Sequence, residues 1–372
     1  MKVLHAAETV KGGVATVIRL LYAGIQAQDA AVQLTILVPS GQRGELSDVP
    51  DSAIETFTSH GRGVLGCLSF ALALFRSVIS LRPDIVHLHS SFAGAIGRLV
   101  LLPLRPFIRF KVVYCPHAFS FLMGVSAKKA AIYARVERAL SRFCDAIICV
   151  SFHERDAALA SGFPPAKLRV VRNGVVAPAL VELDRRPSST PQLNVLFVGR
   201  FDRQKGFDVL LDAMRRIEGS SVHLTAVGDS VYGGFEKQSR DNITYVGWVS
   251  PAGLDGFYAK ADVLVMPSRW EGFAMVPLEA MSRGVPVLAS NIPALTEIVE
   301  DHVNGRLFAM DDDSQLARVL LETPASDWAG MGGSAKRLVS AEFTAMIMSS
   351  ATLDVYRSLT QAAPRASERG AI

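Results

Sequence analysis

The chain has 372 residues, 49% hydrophobic and 20% charged, with a formal net charge of +4. That length exceeds a typical single core and fits two domains, and the composition excludes a disordered or collagen-like chain. The charge is split: residues 1–183 hold 20 Lys and Arg against 12 Asp and Glu, whereas residues 184–372 hold 19 against 23. The two halves therefore face different partners. Cys67, Cys115, Cys144 and Cys149 fall in no metal-ligand spacing and read as reduced core thiols of a cytosolic protein. The N-terminus enters a strand without an apolar leader, so secretion is not expected. The longest apolar stretch, Val64 to Phe75, has 12 residues and is too short to span a bilayer.

In the first half, strand-like runs alternate with helical spacing. The strand candidates are Val3–Ala6, Leu34–Val38, Ile54–Phe57, Ile85–Leu88, Lys111–Cys115, Ala146–Val150 and Leu168–Val171. This alternation predicts a doubly wound parallel sheet. Gly12 and Gly13 open a helix after the first strand, either to receive an anion or as an ordinary tight turn. The G-x-G-x-x-G spacing of a dinucleotide fold is absent, which counts against an NAD enzyme. Residues 81–89 read L-R-P-D-I-V-H-L-H, and the next strand ends at His117. Parallel sheets place ligand groups at such ends, although a lone histidine there also serves packing.

Nine cations lie between Arg98 and Arg142 (Arg98, Arg105, Arg109, Lys111, Lys128, Lys129, Arg135, Arg138 and Arg142), with Glu137 the one acid. Ala127 to Phe143 reads as a basic amphipathic helix. It suits an anionic membrane surface, or else a solvated face or a nucleic-acid patch. Asn173-Gly174 is a turn, and the polar stretch 179–193 reads as a linker.

The second half restarts with a strand ending at Gly199, followed by R-F-D-R-Q-K-G. Arg200 and Lys205 in that connection suit a pyrophosphate, one as a fork and one as a point charge. This half is acidic, so nucleic acid is not expected. A further apolar run, Ala261 to Met266, enters M-P-S-R-W-E-G-F-A-M-V-P-L-E-A-M. Pro277 is expected at the first helical position, with Glu271 in the loop before and Glu279 in the first turn. The N–H groups of Phe273, Ala274, Met275 and Val276 then suit a phosphate or a hexose hydroxyl. Asp311, Asp312 and Asp313 are explained as carboxylates at a helix start rather than a metal site. Phe343 to Leu359 reads as a last amphipathic helix.

The pattern E-G-F-x-x-x-x-L-E, with G-R-x-x-x-x-K-G, R-P-D-I-V-H-x-H and N-G-x-L-F, resembles the retaining glycosyltransferases of family four. The likeness runs from about 2 to 360. It implies an α/β chain of the GT-B fold, two Rossmann-like doubly wound domains facing a cleft. The implied divisions are an acceptor-side domain at 1–178, a linker at 179–193 and a nucleotide-sugar domain at 194–342. A helix near 343–360 would cross back to the first domain.

By the same resemblance, His117 and Glu271 serve the transferred sugar and Glu279 the ribose. Gly13, Arg200, Lys205, Gly272 and residues 273–276 line the donor site. The implied reaction moves a hexose from a nucleotide-diphospho-sugar to a glycan or lipid-linked acceptor in bacterial-type surface polysaccharide assembly. It implies no cofactor and no metal, with cations and helix dipoles holding the leaving diphosphate. The implied location is cytoplasmic, peripheral at the inner face of the membrane. Ala274 departs from the Gly common in the family, at a position where φ > 0 would be disfavoured. The rivals are another GT-B enzyme, such as a sugar-nucleotide epimerase or a phosphorylase, and a non-catalytic nucleotide-sugar-binding assembly factor at the membrane.

Overall fold

The computed structural model describes residues 1–59, 61, 63–176, 192–230 and 240–361. Two parallel sheets organise the chain. In the first half the elements run β1 (Lys2–Ala7), α1 (Gly13–Gln28), β2 (Gln33–Pro39), β3 (Ile54–Phe57), α2 (Val64–Leu81), β4 (Ile85–His89), α3 (Ser91–Val100), β5 (Lys111–Cys115), α4 (Ala127–Leu140), β6 (Ala146–Cys149), α5 (Phe152–Ala160) and β7 (Leu168–Val170). The strand order is β3-β2-β1-β4-β5-β6-β7. β4 is buried along its whole length, because helices cover both faces of the sheet and every side chain meets protein.

The second half runs β8 (Leu193–Val198), α6 (Phe207–Arg216), β9 (Val222–Val227), β10 (Ile243–Gly247), α7 (Asp255–Lys260), β11 (Val263–Met266), α8 (Met275–Ser282), β12 (Val287–Ser290), α9 (Pro293–Thr296), β13 (Gly305–Phe308), α10 (Asp313–Glu322), α11 (Ala325–Glu342) and α12 (Ala345–Thr360). Its sheet is ordered β10-β9-β8-β11-β12-β13. Both sheets reverse their winding beside the first strand of the half, at β1/β4 and at β8/β11. Such switch points open a crevice at the carboxyl ends of the strands, where ligands bind.

The chain returns to its first half at the end. The backbone of Val175 pairs with Phe343 and Ala345 at 2.8 and 2.9 Å. α12 then packs on α1, where Arg357 reaches Asp29 at 2.8 Å. The architecture is thus two Rossmann-like units facing a cleft. Of the stretch read as a linker, 179–191 lies outside the described residues, and Leu193 already belongs to β8.

Four details differ from the sequence expectations. Pro277 is the third residue of α8, not the first, since the helix begins at Met275; a proline is tolerated there because the first turn has no intrahelical acceptor for its missing N–H. The apolar run from Val64 belongs to an 18-residue helix, long and apolar enough to cross a membrane by length and composition. One of its faces (Phe70, Leu74, Val78) nevertheless packs in the core under the first sheet. Arg98 is not part of a basic surface: it is 1% exposed and paired with buried Glu137 at 2.6 Å. α4 itself ends at Leu140, followed by a single 3₁₀ turn over Ser141–Phe143.

Candidate active site

The switch point of the second sheet carries the charged groups. The β8–α6 connection presents Lys205 and the β11–α8 connection presents Glu271. Lys205 Nζ meets Glu271 Oε1 at 2.6 Å, and Ser268 Oγ donates to the same oxygen at 2.8 Å. Both ends of the ion pair are largely buried, with 17% and 7% of the side chains exposed. Two loops 66 residues apart in sequence are thereby tied at one point. Arg200, from the first loop, instead holds Gln204 at 2.6 Å and Asp202 at 3.1 Å and is half-exposed.

The start of α8 meets the other half of the protein. A Cβ at Gly272 would lie 2.5 Å from the carbonyl oxygen of His117 and 3.0 Å from the Ala118 Cβ, so only glycine lets the two loops approach this closely. Gly13 lies against Met275, and Asn173 Nδ2 donates to the Phe273 carbonyl at 3.0 Å. Ala274 has φ −69 and ψ 135, an extended backbone that alanine adopts freely. Its departure from glycine therefore costs no strain. Gly13, residues 272–276 and His117 thus converge from both halves.

Glu279, in the first turns of α8, accepts from the Tyr258 hydroxyl at 3.0 Å. Burial raises its carboxyl above the usual range, while the Tyr258 hydroxyl and Arg283 act in the opposite direction.

The first sheet contributes imidazoles. Register pairs His5 with His87 across β1 and β4, which places both beside His89 at the strand ends. His117 Nε2 lies 2.9 Å from His89 Nδ1, and His89 Nε2 lies 2.9 Å from His5 Nδ1. Tyr356 of α12 closes the group at 2.6 Å from His87 Nδ1 and 3.4 Å from His5 Nε2. Burial lowers His5 and His117 to about 4 and His87 and His89 well below 6.5. His117 itself adopts φ 56, a region that histidine enters more readily than most residues.

Glu154 holds the loop after His117. It accepts from Phe119 N at 3.0 Å and Val150 N at 2.7 Å, and burial pushes its carboxyl up to about 7 against those donors. Sequence reasoning passed over Glu154, Ser268, Tyr258, His5 and Tyr356. The H-x-H pair marked the crevice, but its partners lie on β1 and α12.

Chemically, Lys205 and Arg200 suit an anion, and Glu271 and His117 suit polar hydroxyls. Residues 12–174 match the family described as Glycosyl transferase 4-like domain, and residues 192–323 match Glycosyl transferases group 1. A Klebsiella pneumoniae protein described as an uncharacterized 41.2 kDa protein in the cps region is 34% identical, over 96% of this chain and 100% of that one. The Escherichia coli UDP-Gal:alpha-D-GlcNAc-diphosphoundecaprenol alpha-1,3-galactosyltransferase is 24% identical, over 75% of this chain and 77% of that one. In fold the chain is similar to HepE of Anabaena, solved with UDP and glucose, with a TM-score of 0.76 and 20% identity over 96% of this chain and 100% of that one. With both halves matched and the GT-B architecture in place, the chain belongs to the GT-B glycosyltransferases.

Proposed function

We propose that this glycosyltransferase moves a hexose, with retention, from a nucleotide-diphospho-sugar to a lipid-linked glycan in surface polysaccharide assembly. The observation that carries the reading is the Lys205–Glu271 pair set opposite His117 across Gly272. An arriving diphosphate competes with Glu271 for Lys205 and recruits Arg200 from Gln204. These cations, with the α8 N-terminus, stabilise the charge that grows on the leaving diphosphate. That service requires no metal. The Glu279 carboxylate receives the ribose hydroxyls, Glu271 and His117 the hexose. The UDP in the Anabaena structure supports a uridine donor, and the diphosphoundecaprenol acceptor of the Escherichia coli relative supports a polyprenyl-linked one. The cps-region relative supports a capsule-type pathway.

The test is mass spectrometry of products from a panel of nucleotide sugars, with and without diphosphoundecaprenol-linked acceptors and with EDTA. Acceptor-dependent hexosyl transfer insensitive to EDTA is expected. Epimerised donor without acceptor, or phosphorolysis, would replace this reading with a rival GT-B activity.

The same reading places the enzyme at the cytoplasmic face of an anionic membrane, and the exposed side of the first domain supports it. The outer stripe of α2 leaves Val64, Leu65, Leu68, Leu72 and Ile79 46–76% exposed, and Phe107 is 85% exposed. Helices α2, α3 and α4 share one core on the same side of the sheet. Arg76 of α2, Arg109 before β5, and Lys128, Lys129 and Arg135 of α4 are exposed. Apolar side chains can enter the headgroup boundary while the cations meet anionic lipid. Co-sedimentation with anionic vesicles at low salt, lost on changing Leu65, Leu68 and Leu72 to Ser, is the expected result. No co-sedimentation of the unmodified protein would favour a soluble acceptor.

A further inference from the structure

The histidines behind the cleft form one directed chain of hydrogen bonds. Each neutral imidazole carries one N–H and one lone pair, so it can donate once and accept once. Burial keeps all four rings neutral near pH 7. The links run His117 to His89 to His5 to Tyr356 to His87. The Tyr356 hydroxyl can accept twice but carries one hydrogen, and among the described residues that hydrogen meets only His5 and His87; given to one ring, it makes the hydroxyl the acceptor of the other, and the direction of one link then fixes every other.

The two possible directions end differently. In one, Tyr356 donates to His5 and accepts from His87, and protons point toward the cleft. His87 Nε2 then ends the chain as a bare lone pair. In the other, His87 Nε2 bears a hydrogen. That nitrogen is buried with no hydrogen-bond partner among the described residues. Orphaned buried N–H groups are rarer and costlier than orphaned acceptors. The first direction is favoured. It makes Nε2 of His117 an acceptor and leaves the proton on Nδ1.

We infer that Tyr356 is a positioning residue for the cleft histidine: acting through His5 and His89, it holds His117 as the Nδ1–H tautomer. His117 then offers a sugar hydroxyl a hydrogen-bond donor rather than a base. The helix that carries Tyr356, α12, belongs to the segment that crosses back from the second half, so the crossing segment also sets the chemistry of the cleft. The consequence for sugar binding rests on the proposed transferase reading; the tautomer does not.

The test is long-range proton–nitrogen correlation NMR of the ¹⁵N-labelled full chain, with His117 assigned by the signals lost in His117→Gln. The unmodified protein is expected to show His117 protonated on Nδ1. Tyr356→Phe, which removes one hydroxyl, is expected to mix the two His117 tautomers while the melting profile stays cooperative. Turnover should fall about tenfold or more with little change in donor KM, as for a displaced reacting group. A proton on Nε2 of His117 in the unmodified protein overturns the inference, whatever the variant does. So does an unchanged His117 spectrum in Tyr356→Phe. If the unmodified protein shows the expected tautomer but transfers no sugar, the transferase reading fails and this inference stands.

Discussion

Lys205 Nζ and Glu271 Oε1 lie 2.6 Å apart, each delivered by a different loop of the second sheet. In the proposed reading, Glu271 neutralises Lys205 until the diphosphate of a donor competes for it. Lys205→Ala removes a charge-assisted contact of roughly 1.5–3 kcal/mol. Turnover in a product assay should therefore fall about tenfold or more. Near-normal turnover of a folded Lys205→Ala protein would end the assignment.

Glu271→Gln separates the two roles of the pair. Without the opposing charge, Lys205 is freer to meet a phosphate. Calorimetry should show the nucleoside diphosphate bound at least as tightly, while turnover falls. Weaker diphosphate binding would mean that Glu271 positions Lys205 rather than competing for it.

For Glu279, the proposed partner is the ribose. Glu279→Ala should weaken binding of a ribonucleoside diphosphate and erase its advantage over the 2′-deoxy form. Equal affinity in the variant and the unmodified protein would move the ribose site elsewhere.

The buried imidazoles predict acid sensitivity. The folded values of His5 and His117 lie at about 4, below the ordinary 6.5, so the unfolded chain binds more protons between those limits. The stability they contribute is present above pH 6.5 and is lost as pH falls toward 4. Urea midpoints should drop across that window, because the four buried imidazoles outweigh Glu154, whose carboxyl, raised to about 7, shifts stability the other way. A flat profile between pH 6.5 and 4.5 would show that the rings are accessible to protons in the folded state.

Arg98 and Glu137 predict a contrast between stability and surface charge. Glu137 also accepts from Tyr114 at 3.0 Å, so Arg98→Met leaves a buried carboxylate without its cation. A loss of about 3–5 kcal/mol is expected in urea titrations. Vesicle binding of the folded fraction should not change, because Arg98 is not at the surface. Reduced binding would return Arg98 to the basic patch.

The parts legible in the sequence were those coded locally. The strand alternation follows from local apolar runs, and the G-R-x-x-x-x-K-G loop and the two glutamates are short local motifs that carried the family resemblance. What remained hidden depends on contacts between distant elements. Lys205 and Glu271 were each picked out for a ligand, but their pairing needs β8 beside β11. The H-x-H pair was visible, whereas its extension to His5 needs the β1–β4 register and its closure by Tyr356 needs α12 to return. Counting charges put Arg98 on a surface because its buried partner lies 39 residues away. The apolar run of α2 was ended at Phe75 because Arg76 follows, although the helix continues to Leu81, and which of its faces the sheet covers depends on packing.

The most direct measurement of the central claim is proton NMR of the reaction as it proceeds, with an α-linked nucleotide hexose and a lipid-linked acceptor. The coupling constant of the new anomeric proton reports the linkage formed. The account predicts an α-linked product that appears only with acceptor and is nearly lost in Lys205→Ala. A β-linked product, or donor consumption at the same rate without acceptor, would contradict it.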